Sequence, residues 1–316
     1  MRIAITGGAG FIGQRLAEAL QKDGHQIVSI DTNQETPVDI TDRQAMINAV
    51  SGCDVIYHLA AAHRDDIFPR SIYYDVNGKG TKNVIDAAEA NGIKRIIFTS
   101  TFAVYGLNSG MPDEDSAPKP FNDYGKSKLE GETHFKLWAE KGEGRSATIV
   151  RPVVVFGEGN RGNVHTLINQ IVSGRFVKIG NGSNKKSMAY VGNVADFLKF
   201  KLAGKEGIEW FNYADKPDLD INSLLDIIYA KLGKEKPSFS LPYGVGISAG
   251  YAFDGLARIT GKNFPISSIR VQKFCADTTC EAERCKDDGF KAQYTLQEGL
   301  ERMITADFSQ QKAKAA

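Results

Sequence analysis

At 316 residues, 42% of them hydrophobic, the chain is long enough for one dominant core with a smaller attached part. Its 39 basic and 38 acidic side chains leave a net charge of +1 with no long block of either sign, which excludes a nucleic-acid-binding arm and leaves small molecules as the expected partners. Four cysteines, three of them crowded at Cys275, Cys280 and Cys285, are too few for a disulfide framework; no metal site is expected from them, and a reducing cytoplasm fits.

Along the first half, short β-branched runs alternate with longer helical patterns. Residues 2–6, 26–30, 54–59, 95–99 and 147–150 read as strands, and 11–23, 43–50, 71–91 and 123–141 as helices. Right-handed crossovers between such units give a doubly wound parallel sheet of the α/β class. The N-terminus is part of this fold, because glycines from Gly7 onward interrupt any signal-peptide pattern. After Arg151 the alternation weakens and a smaller α/β lobe begins. Val164, Leu167, Ile168, Ile171 and Val172 make an apolar helical stripe ending at Gly174, and Thr295 with Glu298 makes a capping box before Leu300 and Ile304. Residues 241–256 hold four glycines, a proline and Asp254; they fall short of the ~18 apolar residues of a membrane span and read as loop and short helix. No membrane partner is expected. Only residues 310–316 read as disordered.

Gly7, Gly8, Gly10 and Gly13 lie between the first strand and the first helix, where glycine lets the backbone turn tightly and approach a pyrophosphate while the amides of Phe11 and Ile12 face its charge. Asp31 closes the second strand, 18 residues after Gly13, where a carboxylate accepts hydrogen bonds from the adenosine ribose and repels a 2′-phosphate. The expected cofactor is NAD.

Tyr124 and Lys128 stand one helical turn apart on one face. That spacing alone marks many solvated helix surfaces. The strand at 95–99 runs into Ser100 and Thr101, however, so hydroxyls lie at the carboxyl edge of the sheet, where ligands of such folds bind. A phenol titrates near 10 and needs help to act as a base; the Lys128 ammonium and an oxidised nicotinamide both supply the charge that lowers it. Thr101 is placed to hydrogen-bond the oxygen whose proton Tyr124 takes.

The chain resembles the extended short-chain dehydrogenase/reductases, and within them the nucleotide-sugar epimerase/dehydratase group. The resemblance rests on TGGAGFIG at 6–13, Asp31, Asp39-Ile40, HLAA at 58–61, Asn77 with Gly80-Thr81, TSTFAVYG at 99–106, YGKSK at 124–128, RPVVVFG at 151–157 and YVGNVADF at 190–197. It implies a Rossmann domain of residues 1–155, joined by segments from about 188–214, and a substrate lobe of 156–187 and 215–316. By resemblance Gly7, Gly10, Phe11, Ile12 and Gly13 hold the pyrophosphate, Asp39 and Ile40 the adenine, and Leu59, Ala60 and Ala61 the ribose side; Asn77 is counted with them. Lys128 binds the nicotinamide ribose, Val153 lies against the nicotinamide, and Thr101 takes the catalytic Ser/Thr position. Asn163 and Lys186 lie near positions that hold a nucleotide diphosphate, and a homodimer through 71–91 and 123–141 is implied.

The departures also speak. Phe102-Ala103 replaces the Asp-Glu pair of 4,6-dehydratases, which removes the acid and base for water loss. Val154 stands for an asparagine, Lys186 for an arginine and Gly78 for a valine, the last a packing change. His63 and His165 read as polar lining. The leading expectation is a 4-epimerase of a UDP-hexose or UDP-N-acetylhexosamine. The alternatives are a reductase of a nucleotide-linked 4-keto-6-deoxy sugar and a non-catalytic nucleotide sensor, against which the intact proton-transfer set argues.

Overall fold

Arg2–Thr6 forms β1, whose alternate side chains serve two different cores: Ala4 packs on one face of the sheet, Ile3 and Ile5 on the other. The pattern repeats in β3 (Val55–His58), β4 (Arg95–Thr99) and β5 (Ser146–Pro152). With β2 (Gln26–Ile30) and β8 (Gly207–Tyr213) they make a six-stranded, all-parallel sheet in the order β2-β1-β3-β4-β5-β8. Helices α1 (Phe11–Lys22) and α7 (Val191–Phe200) cover the Ile3 and Ile5 face; α2 (Arg43–Ala49), α4 (Thr81–Ala90) and α5 (Asp123–Ala139) cover the other. The chain leaves β1 for β2 on one side and returns to β3 on the other, so the switch point, where such sheets bind ligands, lies between the carboxyl ends of β1 and β3.

The structure is a computed structural model that describes residues 1–64, 67–107, 109–261 and 267–312. Its packing divides the chain into two units: Met1–Val155, Ala189–Asp215 and Cys280–Thr295, and Phe156–Met188, Lys216–Thr279 and Leu296–Ala316. Cys280–Thr295, assigned above to the substrate lobe, belongs to the first unit. Its short helix α11 (Glu283–Asp287) carries Cys285, which with Cys280 joins the core under β8; no sequence periodicity announces that return.

The helix expected over 71–91 has an inserted segment. It opens as α3 (Ser71–Tyr74), widens to a π-helical stretch over Asp75–Gly80 and resumes as α4. Gly78 and Gly80 accommodate the widening, and Thr81 Oγ1 donates back to the Asn77 carbonyl at 2.6 Å. A Cβ at Gly78 would meet the Glu130 carboxylate end at 2.7 Å, a flexible neighbour, in keeping with a packing role.

In the second unit α6 (Asn163–Val172) runs to Ser173, with Gly174 beyond it at φ 69°, and α8 (Ile221–Leu232) is capped by Asp220, which accepts from the Ser223 amide at 2.7 Å. Strands β6 (Val154–Phe156), β7 (Lys185–Tyr190) and β9 (Asp215–Asp220) order as β6-β7-β9. Residues 241–256, expected as loop and short helix, belong mostly to one 18-residue helix, α9 (Tyr243–Thr260), followed by α10 (Ser268–Cys275). Its glycines do not break it, because packing against α10 supplies what propensity lacks. Helix α12 spans Leu296–Lys312, starting directly after Thr295, so residues 310–312, expected as disordered, are helical; residues 313–316 lie outside the described residues. Among the described residues no group of three or more His, Cys, Asp or Glu could hold a metal, and no helix is long and apolar enough to cross a membrane.

Candidate active site

The loop from Gly7 to Gly13 packs backbone against backbone. Gly7 has φ 71°, its amide donates to the Ile30 carbonyl at 2.8 Å, and a Cβ there would lie 2.7 Å from the Ala60 nitrogen; one on Gly13 would lie 2.2 Å from the Gly7 oxygen. Helix α1 starts at Gly10 with no side-chain cap and no acidic residue in its first turn. The amides of Phe11, Ile12 and Gly13 therefore end the helix without an intrahelical acceptor, at the positive end of its dipole. This cradle, walled by glycine and with no acidic residue in the first turn of its helix, fits a dinucleotide pyrophosphate. Asp31 secures the loop from below, accepting from the Ala9 amide at 3.1 Å and the Asn33 amide at 2.9 Å. Asp39 is exposed and accepts from the Thr41 amide at 2.8 Å, whereas the Ile40 side chain lies in the core with its carbonyl taken by Asn83 at 3.0 Å. Gly13→Ala is expected to lower NAD affinity at least about tenfold, because a displaced Gly7 carbonyl opens the cradle by more than hydrogen bonds tolerate; fluorescence titration with NADH measures it, and unchanged affinity would contradict this geometry.

Leu59, Ala60 and Ala61 follow β3 and are fixed by a one-way chain of hydrogen bonds. The Ala60 amide donates to Thr6 Oγ1 at 3.3 Å; Thr6 Oγ1 meets buried His58 Nδ1 at 2.7 Å; His58 Nε2 meets Thr81 Oγ1 at 2.9 Å. Since the Thr81 proton already points at the Asn77 carbonyl, Thr81 must accept from His58 Nε2–H, and Nδ1 must accept from Thr6. His58 is thus the neutral Nε2–H tautomer, and burial, reinforced by the nearby Lys128 charge, holds its pKa well below the usual range.

Asn77, itself buried, extends the frame to α5. Its Oδ1 accepts from the Ala62 amide at 2.8 Å, while Nδ2 donates to the Ala62 carbonyl and to Ser127 Oγ, both at 2.9 Å. Ser127 in turn donates to the Tyr124 carbonyl at 3.0 Å. Asn77 therefore joins the loop after β3 to the helix that carries the proton-transfer pair.

Helix α5 begins at Asn122, whose side chain accepts from the Gly125 amide at 2.9 Å. Its buried stripe runs Gly125, Lys128, Glu132, Phe135 and Ala139, so a lysine and a glutamate point inward. Tyr124 is half-buried, its ring 6.5 Å from that of Tyr73. Thr101 follows β4, is 9% exposed, and caps a 3₁₀ turn over Phe102–Tyr105 by accepting from the Ala103 amide at 3.2 Å. A Cβ on Gly125 would stand 2.7 Å from the Ala103 oxygen, so α5 rides directly on the turn that Thr101 starts.

Lys128 is 1% exposed, with its ammonium 4.0 Å from the Phe98 ring centroid; among the described residues nothing hydrogen-bonds it. Burial lowers its pKa to about 7 against the opposing pull of Glu132. The unfolded lysine titrates near 10.5 and the folded one near 7, so between those values unfolding takes up a proton and stability rises with pH. Lys128→Met is accordingly expected to stabilise the protein by up to about 5 kcal/mol near pH 6 and by progressively less toward pH 10. Denaturant titrations at both ends measure the difference, and a pH-independent difference would contradict it.

Glu132 belongs to a buried cluster to which the sequence reading gave no role. Arg151 donates to its carboxylate through Nε at 2.9 Å and Nη2 at 2.7 Å, and Ser100 Oγ donates at 2.5 Å. Arg151 Nη1 also reaches the Tyr105 hydroxyl at 2.6 Å, which donates to Asn212 Oδ1 at 2.8 Å. The available signal was the position of Glu132 one turn beyond Lys128 on the same face. Val153 is buried beside this region, its amide bonded to the Tyr213 carbonyl at 3.1 Å.

Asn163 and Lys186 lie in the second unit. Asn163 is exposed at the start of α6, and Lys186 Nζ donates to the Lys273 carbonyl at 2.7 Å and the Ala276 carbonyl at 2.5 Å, with burial lowering its pKa to about 8. His63 is exposed; His165 stacks on Phe308 at 4.9 Å.

The chain has relatives among known proteins. It is 48% identical over 315 residues, covering 97% of this chain and 95% of the relative, to an N-acetyl-alpha-D-glucosaminyl-diphospho-ditrans,octacis-undecaprenol 4-epimerase of Escherichia coli O157:H7. A 2-alkyl-3-oxoalkanoate reductase of Stenotrophomonas maltophilia is 28% identical over 333 residues, covering 96% and 98%. Among solved structures, UDP-N-acetylglucosamine 4-epimerase from Bacillus cereus superposes with a TM-score of 0.77 at 20% identity, covering 97% and 99%, a likeness of fold. The family model of NAD-dependent epimerases and dehydratases matches residues 3–211, well over half of the chain. With the glycine cradle, the Tyr124 and Lys128 helix and this match together, the chain belongs to the NAD dependent epimerase/dehydratase family, a family of enzymes whose cofactor is NAD.

Proposed function

We propose that the enzyme is a 4-epimerase of an N-acetylhexosamine carried on a diphosphate, and that the carrier is a polyprenol. The observation that supports the reading is that Tyr124 and Lys128 stand one turn apart on α5, which packs on the turn that Thr101 starts after β4. The choice of carrier comes from the 48% identical relative, which acts on an undecaprenol-linked sugar. The C4 chemistry is the same for a UDP-linked hexosamine, the carrier expected from sequence, so the carrier is a separate question from the reaction.

NAD held by the glycine cradle would supply the hydride chemistry at C4, accepting one hydride and giving it back. Tyr124 takes the 4-hydroxyl proton through its phenolic oxygen and returns it after the ketone has been presented by its other face. Lys128, while protonated, lowers the cost of the Tyr124 phenolate, and Thr101 Oγ1 orients the reacting oxygen. Phe102 and Ala103 offer neither acid nor base, so water is not eliminated. Gly7, Gly10, Phe11, Ile12 and Gly13 would hold the pyrophosphate, with Asp31 and Asp39 toward the adenosine and Asn163 and Lys186 toward the substrate diphosphate. The four free thiols suit a cytoplasmic enzyme, and a homodimer through α3, α4 and α5 completes the proposal, tested by sedimentation.

The deciding experiment denatures the purified protein, identifies the released nucleotide, and offers two substrates, N-acetylglucosaminyl-diphospho-undecaprenol in detergent and UDP-N-acetylglucosamine. Retained NAD with interconversion at C4 of the lipid-linked sugar is expected. Turnover of the UDP-sugar alone would overturn the carrier, and NADH consumption on a 4-keto sugar without epimerisation would overturn the reaction in favour of a reductase.

A further inference from the structure

Helix α9 is built inside out. Its inner side is made of small residues: a Cβ on Gly246 would lie 2.6 Å from Ile179 Cγ2, and one on Gly250 2.8 Å from the Ser268 Cα. One turn on, the Asp254 carboxylate accepts from the Ser268 amide at 3.1 Å and its hydroxyl at 2.5 Å, pinning α10 to the same side. The large apolar side chains point outward instead. Ile259 is 84% exposed, Tyr251 58%, Val245 53% and Leu256 43%, with Phe239 at 67% just before the helix. A surface helix normally shows the reverse arrangement, and a continuous apolar face of this kind marks an interaction site.

Two features identify what covers it. No helix among the described residues is long and apolar enough to cross a membrane, so this face can lie on an apolar medium but α9 does not span one. Between residues 234 and 273 the sequence carries six lysines and arginines against two acidic residues, although the chain as a whole has 39 basic and 38 acidic; Lys234, Lys236, Arg270 and Lys273 are all exposed. An anionic lipid surface complements both the charge and the apolar side chains.

We propose that α9 docks on the surface of an anionic phospholipid bilayer, with Val245, Tyr251, Leu256 and Ile259 entering the headgroup boundary. The proposal rests on the lipid-linked substrate reading: a polyprenyl tail stays in the bilayer, so the enzyme must come to it. The expectation of no membrane partner is revised for this face.

The test uses the full chain in flotation with vesicles of phosphatidylethanolamine containing about one-third phosphatidylglycerol. The wild type is expected to float with them, and V245E/I259E to lose at least about tenfold of the bound fraction while keeping its NAD and melting temperature. Y251E alone, a milder change, is expected to lose part of it. Failure of the wild type to float, or flotation unchanged in both variants, would overturn the proposal. So would sedimentation showing a wild-type dimer that V245E/I259E breaks without any vesicle binding, since a second copy would then cover the face. Turnover of the undecaprenol-linked sugar in detergent without flotation sinks the docking alone; flotation with turnover only of the UDP-sugar sinks the substrate reading alone.

Discussion

Tyr124→Phe is expected to lower kcat about a thousandfold while leaving NAD bound and stability nearly unchanged. Only the phenolic oxygen is removed, and the half-buried ring keeps its packing beside Tyr73. A loss of that size corresponds to about 4 kcal/mol of transition-state stabilisation, within reach of one positioned proton-transfer group. Thr101 and Lys128 cannot replace it, since one hydroxyl caps a turn and the other group is a buried amine. Steady-state kinetics on the epimerisation, with nucleotide content determined on the same preparation, checks the prediction. Retention of more than about a tenth of the activity would place the proton transfer on another group.

Glu132→Ala is expected to destabilise the protein by about 3–5 kcal/mol, the largest loss of stability foreseen for a single side chain here. The substitution leaves Arg151, 3% exposed, and Lys128, 1% exposed, as buried cations without their carboxylate. Because Glu132 is the group that raises the Lys128 pKa, its removal moves that pKa further down. The folded protein should therefore lose protonated Lys128 at lower pH, and any alkaline limb of kcat/KM that reports Lys128 should shift the same way. Paired replacement by Glu132→Leu and Arg151→Met is expected to restore most of the stability, since the Arg151 guanidinium is then no longer left buried without its carboxylate. It is not expected to restore the pH profile, and that separates electrostatic support of Lys128 from simple filling of the core.

Five strands of the six-stranded sheet, β1 to β5, were legible because parallel strands buried on both faces read as short β-branched runs, and each lies within two residues of its expected position. The glycine loop and the Tyr124 and Lys128 spacing were legible for the same reason, being local. What escaped was set by contacts distant in sequence. Glu132, Arg151 and His58 are polar residues on buried faces, and a lone polar residue on a periodic stripe gives no sign of whether a partner 19 residues away neutralises it. The π-helical stretch over Asp75–Gly80 arises from where Asn77 and Thr81 find partners on β3 and α5, information absent from helix propensity. Four glycines made residues 241–256 look like a loop; in the structure Gly246 and Gly250 lie where α9 approaches Ile179 and α10 too closely for any side chain.

The chain of groups from Ala60 through Thr6, His58 and Thr81 to Asn77 runs in one direction, from a peptide N–H to a peptide C=O. A proton wire needs an end that can release or accept a proton near neutral pH, and neither peptide group does so. The histidine nearest the buried lysine therefore acts as an insulator. Protons cannot reach α5 from solvent by this route, nor leak away through it. A reaction that borrows one proton and one hydride from its substrate and gives both back needs no such supply, whereas a net reduction draws a fresh proton from water at every turnover. The interior wiring on this side of the site suits a closed cycle.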